Sequence, residues 1–66
     1  MTIDTLATGE GSVQEVTDMA DQFLNGNYEI TVGGDGEITV DTWLGADDVD
    51  AFMDSLIQLG YEVEAT

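Results

Sequence analysis

Carboxylates are the only charged side chains in this 66-residue chain, which has 15 Asp and Glu and no Lys, Arg or His. Carboxylates can pair with basic groups, bind hard cations such as Ca²⁺, or act as a general acid and a general base. The charged share of 23% is ordinary, so the sign of the charge is the unusual property. A net charge of −15 opposes folding by self-repulsion, because no cationic side chain can neutralise it.

Many of these carboxylates recur at every second position of segments that read as strands. Residues 27–32 and 37–42 alternate apolar and polar side chains on either side of the Gly-rich residues 33–36, which predicts a β-hairpin. Residues 61–65 alternate in the same way and predict a further strand. The polar positions of these segments, with the Trp that follows them, are Glu29, Thr31, Glu37, Thr39, Asp41, Trp43, Glu62 and Glu64.

Two helices must position these strands. Ser12 and Glu15 match the S-x-x-E capping box, in which each side chain pairs with the other's unpaired backbone N–H, and apolar residues follow at helical spacing to Leu24. A second apolar helical pattern is predicted to start within residues 45–47 and to run to Leu59. Its polar face carries the row Asp47, Asp50 and Asp54.

The order helix, strand, strand, helix, strand predicts one α+β domain over residues 1–66. We expect an αββαβ arrangement, a three-stranded antiparallel sheet with two helices packed on one face. Because connections are short and strand–helix–strand crossovers are right-handed, the last strand is expected beside residues 27–32, with the second and third strands at the edges. Residues 1–11 are expected to form an extra edge strand or a flexible tail.

The uncovered sheet face and the Asp row of the second helix form the candidate partner-binding surface. A polar, solvated face is common in antiparallel sheets, but that interpretation does not explain why Lys, frequent on edge strands, is absent. We therefore predict a functional acidic surface, in which Trp43 either anchors a partner or covers the start of the second helix. The candidate residues are Glu29, Glu37, Asp41, Trp43, Asp47, Asp50, Asp54, Glu62 and Glu64.

Other chemistries fit the residue pattern less well. Residues 47–50 (DDVD) offer oxygen ligands for calcium but lack the EF-hand spacing, and carboxylates at a helix N-terminus are favoured by the helix dipole and by capping. Residues 33–36 lack the Lys and the following helix of a phosphate-binding loop. Paired carboxylates could act as a general acid and a general base only in a cleft that holds a substrate. The sequence also has no His or Cys from which a nucleophile system could be built. We expect no enzyme activity, no metal site and no cofactor.

Extreme acidity in so small a folded chain resembles the DNA-mimic inhibitors of phages and mobile elements, the anti-CRISPR and anti-restriction proteins. The resemblance spans the whole chain and rests on size and charge, so it carries over no functional residue by position. It implies that the chain occupies the basic nucleic-acid-binding site of a bacterial defence complex. The first candidate for such a partner is a subunit of a CRISPR effector complex. It would block target DNA without binding nucleic acid itself.

The sequence also predicts where the protein is located. Residues 1–4 lack the features of a signal peptide, and no apolar run approaches the roughly 20 residues of a membrane span, so we expect a cytoplasmic protein that contacts no membrane. If the chain is phage-encoded, that cytoplasm is the host's.

Three alternative interpretations of the acidity stay open. They are a halophile domain whose acidity serves solubility, an acidic interaction subunit for a basic protein unrelated to nucleic acid, and a calcium-binding module.

Overall fold

The computed structural model describes all 66 residues and shows a four-stranded sheet packed against two helices. The sheet order is β2-β3-β1-β4, and each neighbouring pair is antiparallel. The α+β class, the two helices and the antiparallel sheet are confirmed. The elements in chain order are β1 (Thr2–Leu6), α1 (Ser12–Leu24), β2 (Tyr28–Val32), β3 (Glu37–Thr42), α2 (Ala46–Gln58) and β4 (Val63–Ala65).

The expected three-stranded sheet is wrong in the number and the order of its strands. Residues 2–6 form β1 in the middle of the sheet, between β3 and β4, instead of an edge strand or a tail. The last strand, β4, therefore pairs with β1 and not with β2. The edges are β2 and β4, whereas β3 and β4 were expected there.

Strand β1 fits the centre of the sheet because of two inward side chains. Ile3 is fully buried opposite Val40 of β3, and Thr5 is almost fully buried opposite Ile38. The Thr5 hydroxyl donates a hydrogen bond of 2.7 Å to the carbonyl oxygen of Glu62, so burial leaves this polar group satisfied. Only one of the two inward side chains is apolar, which explains why the alternation of this segment is weak in the sequence.

Both helices cover the same face of the sheet. The buried residues of α1 and α2 form one apolar cluster with the inward residues of β1 and β3, so the opposite sheet face has no covering element. A domain of 66 residues ordinarily has a free energy of unfolding of about 3–10 kcal/mol, so each buried side chain contributes a sizeable part of it. The cluster consists of Ile3, Val16, Ala20, Leu24, Ile38, Val40, Val49, Phe52, Leu56 and Tyr61.

The predicted capping box at the start of α1 is wrong. The N-cap residue is Gly11, in the left-handed region at φ 85°, and it makes no side-chain cap hydrogen bond. The Ser12 hydroxyl oxygen instead accepts hydrogen bonds from the backbone N–H groups of Thr8 (2.9 Å) and Gly9 (3.1 Å). The Glu15 carboxylate accepts a hydrogen bond of 2.7 Å from the Tyr61 hydroxyl. Ser12 thus fixes the loop that directly precedes α1, and Glu15 holds the distant residue Tyr61 to the helix.

A tyrosine–carboxylate hydrogen bond also ties β2 to α1. The Tyr28 hydroxyl donates to Oδ1 of Asp21 at 2.5 Å. This hydrogen bond raises the pKa of Tyr28 from 10.0 to about 12, with smaller contributions from desolvation and from the negative charges of Asp21 and Asp18. The phenol is therefore protonated at every pH at which the chain is expected to work.

Alkaline titration tests this contact. Because the pKa of Tyr28 is higher in the folded state, its stabilising contribution is complete below the unfolded value of 10.0 and is lost as the pH rises through about 12. We expect the difference in free energy of unfolding between the wild type and Tyr28→Phe to be constant near neutrality and to vanish over this range. Tyrosinate absorbance of wild type, Tyr28→Phe and Asp21→Asn gives the pKa directly. A Tyr28 titration unaffected by Asp21→Asn would contradict the assignment.

Candidate acidic interface

The uncovered side of the sheet carries a continuous group of carboxylates, here called the acidic sheet face. Directly opposed residues of an antiparallel pair lie on the same face, and the observed register joins Asp41 to Glu29 and Asp4 to Glu64. Glu37 lies opposite Leu6, and Glu62 is two positions before Glu64. The acidic sheet face therefore comprises Asp4, Glu29, Glu37, Asp41, Glu62 and Glu64.

Every sheet residue proposed from the sequence lies on this side, and the structure adds a central one that was missed. Asp4 of β1 is half-buried between Thr39 of β3 and Glu64 of β4. The other carboxylates of the face are exposed. The alternation in Thr2–Leu6 could have identified Asp4 as an outward residue, had this segment been assigned to the middle of the sheet.

Two like-charge pairs occur directly across strands of this face. Glu29 opposes Asp41 between β2 and β3, and Asp4 opposes Glu64 between β1 and β4. The Cβ atoms of such pairs lie about 4.5–5.5 Å apart, and like charges at that separation destabilise a sheet. These pairs therefore oppose folding.

Two threonine hydroxyls fix the orientation of carboxylates on the central strands. Thr2 Oγ1 donates a hydrogen bond of 2.6 Å to Oδ1 of Asp41, and Thr39 Oγ1 donates one of 3.0 Å to Oδ1 of Asp4. A carboxylate has several acceptor sites, so both groups keep free lone pairs after accepting these hydrogen bonds. The central part of the face is thus an ordered array rather than a set of freely rotating side chains.

The surface has one depression, and it lies on this face. It measures about 410 Å³ at the side of the sheet formed by β1 and β4. Leu6, 53% exposed, is among its lining residues. The residues that line it are Asp4, Thr5, Leu6, Glu37, Glu62, Val63 and Glu64.

The Asp row of α2 is separate from the acidic sheet face. At about 100° per residue, Asp47, Asp50 and Asp54 point away from the helix face that is buried in the core. Because α2 covers the inner side of the sheet, this row lies on the far side of the molecule. The two parts of the predicted surface therefore form two faces that do not meet.

Trp43 directly follows β3 and is 66% exposed. With this exposure most of the side chain is uncovered, which does not fit the predicted role as a cover for the start of α2. The other predicted role, a partner anchor, stays a prediction. By alternation with Asp41 it belongs to the side of the acidic sheet face.

The start of α2 offers acidic residues without a metal-binding arrangement. Asp47 and Asp48 lie in its first turn, where the helix dipole favours negative charge. The N-cap residue is Gly45, and no side chain caps the helix, so the capping part of the expectation is wrong. No group of three or more His, Cys, Asp or Glu residues anywhere in the chain is arranged to hold a metal ion.

The self-repulsion of these faces predicts stabilisation by salt. Between about 10 mM and 1 M NaCl the Debye length falls from about 30 Å to about 3 Å, so repulsion between exposed carboxylates is progressively screened. We expect the melting temperature to rise by several degrees over this range, and by less in the variant Glu29→Gln, which removes one like-charge pair. A flat profile would contradict this account. A chain that folds only in molar salt would favour the halophile interpretation.

No family model, no curated protein and no solved structure matches the chain. Neither helix is both long and apolar enough to cross a membrane.

Proposed function

We propose that this protein is an acidic DNA mimic that occupies the basic nucleic-acid-binding site of a bacterial defence complex. The specific form that we propose is an anti-CRISPR protein that blocks target DNA binding by a CRISPR effector complex from within the host cytoplasm. The observation that supports this most directly is the acidic sheet face, an uncovered carboxylate array whose central members Asp4 and Asp41 are held by threonine hydroxyls, in a chain without a single basic side chain.

The spacing of the array supports the proposal. Neighbouring strands lie about 4.8 Å apart and alternate residues along a strand about 6.7 Å apart. DNA carries about one phosphate per 3.4 Å of rise on each strand, so the density of negative charge on the two surfaces is comparable. A groove lined by Lys and Arg that accepts a DNA backbone would therefore also attract this face.

The like-charge pairs point in the same direction. A solvated polar face needs no carboxylates in direct opposition, and Thr or Gln would serve at those positions without the repulsion. A basic partner relieves the repulsion of Glu29 with Asp41 and of Asp4 with Glu64 when it binds. Part of the electrostatic energy stored in the free protein is then released in the complex.

The mechanism that we propose is competition. Attraction between the carboxylates and the basic site steers association and weakens with salt. Individual exposed ion pairs contribute only about 0–1 kcal/mol each, so tight binding requires many of them together with an anchor that is shielded from water. Protein and DNA would then exclude each other from one site.

A competition experiment tests the proposal. Guide-loaded CRISPR effector complexes of several types are incubated with the protein, and binding of labelled target DNA is measured by gel shift. We expect at least one complex to lose target DNA as the protein concentration rises, and prior loading with DNA to protect that complex.

Two other results would count against the proposal. If the protein and DNA bind a complex together, mimicry of DNA is wrong for that complex, and the protein is an acidic interaction subunit of another kind. If no complex binds, and phage plating on CRISPR-carrying and restriction-carrying hosts is unchanged by expression of the chain, the defence-inhibitor function is wrong.

A further inference from the structure

We propose that the depression around Leu6 receives one arginine side chain of the partner and is the anchor point of the acidic sheet face. This inference rests on the proposed function, because it specifies where a basic protein surface is held. The depression lies on an uncovered sheet face. We infer the chemistry of its occupant from charge complementarity and from the shape and lining of the depression.

The depression combines an apolar group with charges from three strand segments. Four carboxylates contribute to its lining, Asp4 from β1, Glu37 from β3, and Glu62 and Glu64 from the chain that forms β4. Leu6 belongs to the same lining and exposes 53% of its surface. Leu6 is an exposed apolar side chain among carboxylates, so it does not contribute to solubility. It is well placed to contact the apolar part of a bound side chain.

The arrangement suits an organic cation better than a metal ion. The carboxylates of the depression do not converge as metal ligands do. The volume of about 410 Å³ lies near the lower end of the range of about 300–1,000 Å³ that is usual for ligand pockets. The depression is thus large enough for a side chain and too open to enclose a single ion.

Arginine fits this lining better than lysine does. Its planar guanidinium carries five N–H donors that can reach carboxylates in different directions, and its weakly hydrated face can lie on an apolar group such as Leu6. The ammonium of lysine has only three donors, and because it is compact and strongly hydrated it does not lie flat on an apolar group as a guanidinium does. Bidentate, charge-assisted hydrogen bonds are also the strong ones among ion pairs.

The depression is partly ordered before a partner arrives. Asp4 is half-buried and accepts a hydrogen bond of 3.0 Å from Thr39, so its carboxylate is partly oriented before binding and loses less conformational freedom than a fully exposed carboxylate would. The Asp row of α2 has neither a depression nor such a hydrogen bond. An arginine should therefore be bound more tightly at the sheet than at the helix, although both carry similar charge.

Binding of a fluorescent oligo-arginine peptide, compared with an oligo-lysine peptide of equal length, tests the inference at constant ionic strength. The variant Glu62→Gln/Glu64→Gln is expected to weaken binding of the arginine peptide about tenfold. The matched variant Asp50→Asn/Asp54→Asn removes the same charge from α2 and should weaken binding by less than about twofold. Leu6→Ser, which changes no charge, should weaken the arginine peptide about threefold and leave the lysine peptide unchanged. Circular dichroism verifies that each variant is folded.

The outcomes separate this inference from the proposed function. Equal weakening by the sheet and helix variants, or no effect of Leu6→Ser, overturns the arginine anchor and leaves DNA competition untouched. Equal affinity for the two peptides in the wild type also overturns it. Failure of the DNA-competition experiment, with the arginine preference intact, overturns the proposed function instead.

Discussion

Replacing Glu29 and Glu64 by Lys is expected to reduce binding to the basic partner by on the order of a hundredfold while making the protein more stable. Each of these residues directly opposes another carboxylate, Asp41 or Asp4. The double reversal turns both repulsive pairs into attractive ones, and each cross-strand pair of opposite charge contributes about 0.2–1 kcal/mol to stability. The same change places two cations where the partner's cations must dock.

The opposite signs of the two effects make the result informative. Most substitutions that abolish function also destabilise the fold, whereas here the melting temperature should rise and inhibition should fall. Function is measured as the loss of target-DNA binding by the effector complex, and stability is measured by thermal unfolding at fixed salt. A variant that is more stable and still fully inhibitory would show that the acidic sheet face is a solvated surface without a partner.

A matched control separates the position of the charges from their sum. Asp50→Lys/Asp54→Lys raises the net charge from −15 to −11, as the sheet variant does, but on the far side of the molecule. We expect it to slow association through weaker long-range attraction and to keep most of the inhibition. Equal loss in both variants would mean that net charge alone, and no particular face, attracts the partner.

The sequence predicted which side chains face outward, because alternation within a strand depends only on local geometry. Glu29, Glu37 and Asp41 therefore appear where they were expected. Alternation does not reveal which strands are neighbours, so the opposition of Glu29 to Asp41 was within reach of the hairpin prediction, whereas that of Asp4 to Glu64 was not. The depression was also out of reach, since its lining residues come from segments far apart in the chain.

The helices were predicted closely for a related reason. Helical periodicity repeats over 13 residues in α1 and in α2, so each pattern is sampled several times. Strand β1 has only five residues and two inward positions, one of which is Thr5. The free energy that places β1 at the centre comes from pairing with β3 and β4 at long sequence separation, which no local pattern records.

The central position of β1 predicts that Ile3→Ala will destabilise the protein severely. Removing a fully buried Ile side chain costs about 2–5 kcal/mol, which is a large part of the roughly 3–10 kcal/mol expected for 66 residues. The melting temperature should fall by more than about 10 °C, and a wild type whose stability lies near the lower bound of this range would be left largely unfolded at 37 °C by the substitution. Thermal and denaturant unfolding measure the loss.

Leu6→Ala in the same strand is the control for this prediction. Leu6 lies on the acidic sheet face and is 53% exposed, so its truncation should change the free energy of unfolding by no more than about 0.5 kcal/mol. A flexible tail would tolerate both substitutions about equally, because neither side chain would then be enclosed by neighbours. A large difference between Ile3→Ala and Leu6→Ala therefore requires β1 to be paired into the sheet with Ile3 on the inner face, which is also the arrangement that places Asp4 and Leu6 on the acidic sheet face.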